Sequence, residues 1–153
     1  VKLLSLLLNQ QKQSLKLKLK PLLRTTDMGY NRLNLERLDL LSGLGTSTKT
    51  ATGNGTGIDL LEYEGDILFV LDSAAGGGSS PTLDVTIEDS ADNSTFAALS
   101  GAAFTQVTGS ASSQKLSISA DECKRYVRVK FTIGGSSPTF DLSVTGLGLK
   151  KYG

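Results

Sequence analysis

Histidine and tryptophan are absent from this 153-residue sequence, and cysteine occurs once. Without histidine the chain lacks the commonest general base and the commonest metal ligand, so we expect no catalytic site, no metal site and no cofactor. The single Cys123 cannot form an internal disulfide, and nothing indicates an oxidising compartment. Its neighbours Lys124 and Arg125 could favour a thiolate, but the preferred interpretation is a small structural cysteine.

Long apolar runs are also missing. The run Leu3–Leu8 is interrupted by Ser5 and then becomes polar, so it is shorter than a signal-peptide core and far shorter than the ~20 residues of a membrane span. We therefore expect no targeting segment. A chain of this length predicts one domain plus at most an arm.

Charge is distributed unevenly along the chain. Residues 1–45 hold eight basic and three acidic residues, whereas residues 46–153 hold eight basic and twelve acidic ones. Together with the local composition, this asymmetry predicts three zones. They are a basic Leu/Lys-rich arm or first strands at 1–45, a Thr/Gly-rich linker at 46–57, and a β-sandwich at 58–153.

Alternation of apolar and polar residues predicts the strands of that sandwich. Side chains in a strand point to opposite faces with a period of two, so each alternating segment has one buried and one wet face. The apolar positions are Leu83, Val85 and Ile87; Leu116, Ile118 and Ala120; Val127, Val129, Phe131 and Ile133; and Phe140, Leu142 and Val144. Residues 67–71 are apolar throughout, which predicts a central strand covered on both sides.

An internal repeat spans residues 77–87 and 134–144, in which seven of eleven positions are identical. Each copy begins Gly-Gly-Ser-Ser-Pro-Thr, and we interpret each as a hairpin with a flexible tip. Strand spacing predicts an all-β, antiparallel, jelly-roll-like sandwich of about seven or eight strands. Beyond Val144 the apolar parity changes, and Gly146 is predicted as a β-bulge.

The basic first zone has several open interpretations. Leucine and lysine alternate at 15–20, which suits a strand because a helix would scatter the leucines around its circumference. The stretch 31–41 fits either a short helix or a strand. The zone could neutralise phosphates of nucleic acid or lie on a membrane, but it lacks interleaved aromatics and a helical amphipathic face.

We favour two other interpretations of this zone, as part of the sandwich itself or as an extended arm that adds a strand to a neighbouring subunit. The predicted partner-binding residues are Leu15, Lys16, Leu17, Lys18, Leu19 and Lys20. We expect neither a nucleic acid nor a membrane as partner.

Two further motifs have structural interpretations. Residues 53–57 resemble part of a phosphate-binding loop, but no helix is predicted after them, so a flexible linker is preferred. The acidic residues Glu88, Asp89 and Asp92 are predicted to form a solvated turn with Asn93, because their spacing differs from that of an EF-hand. No residue pattern indicates an enzyme.

A resemblance covers about 100 residues from position 51 onward. The chain resembles small tailed-bacteriophage virion proteins of the jelly-roll capsid decoration or cement type. The segments that carry it are 51–59, 63–65, 68–72, 82–90, 92–96, 103–107, 124–128 and 150–152.

The resemblance implies a structural virion protein, made in the bacterial host cytoplasm and located on the outer capsid surface. Its implied partners are the major capsid protein and further copies of itself, as a homotrimer. It would bridge major-capsid subunits and so stabilise the shell. The alternatives are another virion component, such as a tail, neck, connector or fibre-associated module, and a carbohydrate-binding β-sandwich.

Overall fold

The computed structural model describes residues 35–152. From Arg37 onward these residues form one compact unit, and its eight strands confirm the predicted all-β, jelly-roll-like sandwich. The strands are β1 (Leu38–Lys49), β2 (Gly53–Asn54), β3 (Ile58–Asp59), β4 (Tyr63–Ser73), β5 (Gly77–Ser90), β6 (Ala97–Ala103), β7 (Ser112–Ser119) and β8 (Tyr126–Lys150).

The strands form two antiparallel sheets that share the long strand β8. The carboxyl-terminal part of β8 lies between β1 and β4, and β7 follows β4, which gives the order β1-β8-β4-β7 for sheet A. The amino-terminal part of β8 lies between β5 and the short strands β2 and β3, with β6 outside β5, and these strands make up sheet B. Strand β8 therefore ties the two layers into one continuous hydrogen-bonded system.

The core lies between the sheets and uses the predicted apolar faces. Every second residue is buried in β4, β5 and both parts of β8. These residues are Ile67, Phe69, Leu71, Leu83, Val85, Ile87, Val127, Val129, Phe131, Phe140, Leu142 and Val144, all at most 3% exposed. Each side chain of this size contributes about 1.5–3 kcal/mol on burial, so this core is the main source of stability.

The internal repeat has a different structure from the two hairpins that we predicted. Both copies lie within continuous strands, and they pair with each other: Gly77 faces Thr139, Ser79 faces Ser136, and Thr82 faces Gly134. The first position of each copy thus faces the sixth position of the other. Hairpins were predicted because Gly-Gly-Ser-Ser-Pro is typical of turns. Here the small residues instead let two segments of the same chain lie close together as each passes from one sheet to the other.

Backbone geometry at this crossing repeats with the sequence. Gly78 and Gly135 have φ values of 91° and 115°, and Ser80 and Ser137 both have 49°. A Cβ at Gly78 would lie 2.6 Å from the Ser136 carbonyl oxygen, and one at Gly135 would lie 2.8 Å from that of Ser80. Both glycines are therefore required by conformation and by space.

The crossing gives the sandwich an approximate internal twofold relationship. The first repeat leads from β4 in sheet A to β5 in sheet B, and the second leads from the sheet B part of β8 to its sheet A part. The central pair of strands in one sheet therefore corresponds to the central pair in the other. This correspondence allows the outer faces of the two sheets to be compared position by position.

The predicted bulge at Gly146 is wrong. The register of β8 against β1 and β4 continues without a shift through Gly146. The irregularities lie in the partner strands, between Ser42 and Leu44 and between Leu44 and Ser47 in β1, and between Glu64 and Leu68 in β4. Gly146 faces inward, where a Cβ would lie 3.0 Å from atoms of Leu41 and Phe69. The apolar residues change from even to odd positions after Val144 because Gly146 takes an inward position where Leu41 and Phe69 already fill the space. The leucines that follow, Leu147 and Leu149, therefore lie on the outer face.

The zone boundaries predicted at residues 45 and 57 do not coincide with strand ends. Strand β1 continues across position 45, and strand β2 lies inside the stretch that we interpreted as a linker. The Gly55 amide donates to the Val129 carbonyl at 2.7 Å, and the Ile133 amide donates to Thr52 Oγ1 at 3.0 Å. Small residues in this stretch allow close approach to sheet B, so it belongs to the sandwich. In the ambiguous stretch 31–41, the chain is a strand from Leu38 onward.

Candidate functional site

The outer face of sheet A carries a continuous group of apolar side chains. Leu40 of β1 faces Leu147 of β8, which in turn faces Leu68 of β4. One pleat along, Leu38 faces Leu149, and Val70 lies beside Leu68 on the same face of β4. Cross-strand neighbours on one face have Cβ atoms about 4.5–5.5 Å apart. We call these six residues, Leu38, Leu40, Leu68, Val70, Leu147 and Leu149, the apolar patch.

Solvent reaches this patch, although its residues are large and apolar. Leu40 is 72% exposed and Leu38 is 39% exposed, and the other four side chains are half-buried. The inward side of the same stretch of β8 is occupied by Gly146 and Gly148. The chain therefore places its leucines on the outside of this strand and its glycines on the inside.

Polar and charged side chains border the patch. Lys115 of β7 faces Val70, and Ser117 faces Leu68, along one side. Glu64 faces Leu149 at the end of the patch, and its carboxylate accepts a hydrogen bond from Arg37. An apolar centre with a polar border is the usual composition of a protein–protein contact surface.

Sheet B has a different outer face at the corresponding positions. Glu88 of β5 faces Arg128 of β8, and these residues correspond to Thr145 and Val70 of sheet A. The Arg128 guanidinium bonds Glu88 at 2.7 Å and lies 4.0 Å from the Phe96 ring centre. Two related positions thus hold an ion pair in one sheet and an uncharged valine–threonine pair in the other.

The acidic residues at the end of β5 are not the solvated turn that we predicted. Glu88 and Asp89 are 4% and 7% exposed, because basic side chains from β8 and the segment before it cover them. Glu88 binds Arg128 and also Lys130, whose Nζ lies 3.1 Å from Oε1. Lys124 Nζ lies 2.8 Å from Asp89 Oδ1. The turn prediction failed because the basic partners lie about forty positions away along the chain.

Ion pairing shifts the titration of these carboxyls. Burial disfavours the charged form of Glu88, but hydrogen bonds and charge from Arg128 and Lys130 outweigh it and hold the pKa below its usual range. Burial likewise opposes the charge on Asp89, and Lys124 outweighs it and lowers that pKa. These carboxylates stay charged and paired, so none of them has the raised pKa that a general acid would need.

Asp92 organises the loop that follows β5. Its carboxylate accepts hydrogen bonds from the amides of Ser94 and Thr95, at 2.9 and 2.8 Å, and from the Ser90 hydroxyl. The Thr95 amide contributes most to lowering the pKa of Asp92. Within residues 35–152, no group of three or more potential ligand side chains could hold a metal ion.

Cys123 is half-buried beside the edge strands β6 and β7, in a small cleft that Leu99 and Ile118 also line. Burial and the charges of Asp89 and Glu122 raise the pKa of its thiol. The adjacent Lys124 and Arg125, which could have favoured a thiolate, bind Asp89 and Asp59 instead. This environment supports the structural interpretation of the cysteine.

The predicted partner-binding residues Leu15–Lys20 lie outside the described residues. Sequence reasoning did not single out the apolar patch, although the signal was present. Leu38 and Leu40 are two residues apart and so lie on one face of a strand, and the change of apolar positions to Leu147 and Leu149 indicated leucines on the outer face of β8. The central position predicted for residues 67–71 is correct, but the outer side chains Leu68 and Val70 are only half-buried. In the described part of the chain, no helix has the length and apolar character to cross a membrane.

Comparisons with known proteins bear on the fold. No protein-family model matches the sequence, and no curated protein matches it. Among solved structures, the chain is similar to the PBSX exported protein XepA, with a TM-score of 0.51 and 16% identity over 76% of this chain and 38% of XepA. The chain therefore spans less than half of that protein, and the likeness establishes the shared fold.

Weaker similarities extend to two further structures. One is the infectious bursal disease virus Gt strain, with a TM-score of 0.48 and 11% identity over 74% of this chain and 33% of the viral chain. The other is the SPBc2 prophage-derived protein YomS, with a TM-score of 0.45 and 10% identity over 74% of this chain and 93% of YomS.

Proposed function

We propose that this chain is a non-enzymatic structural virion protein that binds the outer capsid surface and bridges major-capsid subunits. The observation that carries the proposal is the apolar patch, because a sandwich that leaves a leucine-rich face in water is suited to assembly with other protein subunits, further copies of itself included. The motif resemblance from residue 51 onward points in the same direction. This function requires no metal, cofactor, nucleic acid or membrane.

The chemistry of the described residues supports a binding role over a catalytic one. The buried carboxylates of Glu88 and Asp89 are engaged by Arg128, Lys130 and Lys124. Asp59 is bound by Arg125, and Asp39 by Tyr63 and Lys150. These pairs fix strands and loops, and they leave the charged groups committed to the fold.

Bridging needs more than one contact per assembled unit. We propose Leu15–Lys20 as the contact with a neighbouring capsid subunit, by addition of a strand through main-chain hydrogen bonds. Several weak contacts of this kind acting together give strong attachment, because each bound contact raises the effective concentration of the next. Shell stabilisation would then follow from the number of bridges on one particle.

Two alternatives lead to different observations. A tail, neck or fibre-associated module would use the same sandwich at a site of low copy number. A carbohydrate-binding sandwich would need an aromatic platform, whereas the patch consists of leucine and valine. We therefore favour capsid decoration.

The test is a cryo-electron microscopy map of the native particle that carries this protein. We expect density for the sandwich outside the shell, in contact with at least two major-capsid subunits and repeated over the whole capsid. A second preparation with Leu17→Asp and Leu19→Asp should lose the protein from the shell, whereas Leu61→Asp, an exposed site outside the patch, should retain it. Density confined to the tail or neck would contradict the proposal.

A further inference from the structure

We infer that the apolar patch binds a second copy of this chain, patch against patch, in a twofold dimer. The starting point is the internal relationship between the two sheets. The repeat relates β5 to the second part of β8 with an offset of 57 residues, and pairing with those strands relates β4 to the first part of β8 with an offset of 58. Sheet B therefore shows how the same framework is built with polar and charged residues on its outer face.

The comparison at two successive positions identifies sheet A as the contact surface. Where sheet B pairs Glu88 with Arg128, sheet A pairs Thr145 with Val70. Where sheet B pairs Ser90 with Tyr126, sheet A pairs Leu147 with Leu68. The fold itself does not require leucine and valine here, since polar and charged side chains occupy the related positions in sheet B.

Neighbouring strands extend the difference beyond the central pair. Strand β1, which forms an edge of sheet A, adds Leu38 and Leu40 at one side of the patch, and Leu40 is 72% exposed. Edge strands of monomeric proteins are usually protected by charged residues or proline. An edge strand with two outward leucines is expected when another protein surface covers it.

The composition of the patch favours a second copy of the chain as the partner that covers it. Its six apolar residues include no charge, so the contacting surface must also be apolar if no charge is to be buried unpaired. The outer face of sheet B is excluded by Glu88, Arg128 and Lys130. A second patch offers a matching apolar surface, and contact between two patches buries no unpaired charge.

The dimensions predict a weak dimer. Together with its border, the patch is four strands wide (β1, β8, β4 and β7) at ~4.8 Å spacing and about seven residues long, from Glu64 to Val70, at ~3.3 Å per residue, so it covers roughly 450 Å². Stable interfaces bury ~800 Å² on each partner. Dimers formed through this patch should therefore dissociate on dilution and gain stability when further contacts hold the pair together.

The stoichiometry differs from the homotrimer that the resemblance implies. Contact of one patch with the same patch on another copy is closed by a twofold axis and produces pairs. A pair would carry two copies of Leu15–Lys20, which suits bridging. The inference does not rest on the virion role, because a purified protein that never enters a particle should still pair.

Sedimentation velocity of the full chain tests the inference over low to high micromolar concentration. We expect a reversible monomer–dimer equilibrium. Leu40→Lys should raise the dissociation constant at least tenfold, because a twofold interface contains the substituted residue twice. The matched control is Leu61→Lys, since Leu61 is 59% exposed and lies outside the patch, and it should leave the constant unchanged.

A second variant distinguishes a lost contact between copies from misfolding. Val70→Thr keeps the side-chain shape and the β-branch but adds a hydroxyl, so it should weaken the dimer less than Leu40→Lys while the circular dichroism spectrum stays the same. A monomer at every concentration or a trimer would overturn the inference. So would an equal effect of Leu61→Lys and Leu40→Lys. A monomeric wild type that Leu40→Lys destabilises would show that the patch is covered within one chain.

Discussion

Glu88 and Arg128 face each other across β5 and β8 on the outer side of sheet B, with Arg128 Nη2 2.7 Å from Glu88 Oε2. The corresponding residues of sheet A are Thr145 and Val70. The same pair of positions therefore serves two purposes in one molecule. In sheet B it holds strands together through charge, and in sheet A it forms part of a surface available for contact.

Replacing Glu88 by glutamine should destabilise the fold by about 1–3 kcal/mol, because Arg128 and Lys130 would lose their shared carboxylate in a partly buried site. The value is below that of a fully buried pair, since solvent reaches both basic side chains. Urea unfolding at neutral pH measures the change. Glu62→Gln, at an exposed turn position, should have little effect, and equal losses in both variants would contradict the assigned role of the pair.

Stability should fall in acid, and Glu88 should account for part of the decrease. Its pKa is lowered in the folded state, so its contribution is complete above the unfolded value of about 4.3 and is lost as the pH falls through the folded pKa. The wild-type urea midpoint should therefore decline below about pH 4.3. Glu88→Gln should decline less steeply over the same range. Parallel curves for the two proteins would show that Glu88 has the same pKa folded and unfolded.

Alanine at Gly78 or Gly135 should destabilise the protein by about 1–3 kcal/mol or more, because both positions combine positive φ with close backbone contact across the crossing. Gly109→Ala is the matched control, since no atom lies within 4 Å of a Cβ there. Thermal unfolding distinguishes the two classes. Similar stability of all three variants would mean that the crossing can relax.

The fold was largely predictable because its strands follow the simple period of two. Alternation identified the core residues of β5 and β8, such as Val85 and Val129, and these predictions are confirmed. The repeat was also visible, but its pairing was not. A Gly-Gly-Ser-Ser-Pro segment is locally typical of a turn. It is extended here because it pairs with the second copy of the repeat in the same chain, and this pairing cannot be read from either segment alone.

The candidate site was harder to predict, for a physical reason. A leucine has the same local signature whether the sheet buries it or exposes it, so Leu40 and Leu147 could not be distinguished from core residues before the register was known. The ion pairs have the same limitation, because Asp89 and Lys124 are distant in sequence. The prediction for Leu15–Lys20 concerns residues outside those described and stays a prediction.

Substitutions at Phe69 and Leu68 should separate the core from the patch on a single strand. Phe69 is fully buried, so Phe69→Ala should cost about 3–5 kcal/mol. Leu68 lies on the opposite, half-buried face, and Leu68→Ala should cost about 1 kcal/mol. Both are measured by urea unfolding of the monomer at low concentration. A larger loss for Leu68→Ala would mean that the patch is structural within one chain.

Cys123 should react slowly with alkylating reagents near neutral pH. Burial, Asp89 and Glu122 raise the pKa of its thiol, so less of the reactive thiolate is present than in an ordinary cysteine. The rate of reaction with iodoacetamide, followed by mass spectrometry, should therefore increase with a midpoint above about 8.5, the usual value. Urea should restore the behaviour of a free thiol.

Two neighbouring acids provide the variants for this measurement. Glu122→Gln removes a charge that raises the pKa and should speed the reaction, whereas Asp121→Asn alters an exposed acid that does not contribute to the shift and should change it little. If the wild-type thiol instead reacted faster than glutathione at neutral pH, Lys124 and Arg125 would be stabilising the thiolate despite their pairing with Asp89 and Asp59. The interpretation of Cys123 as a structural residue would then have to be replaced by that of a reactive thiol.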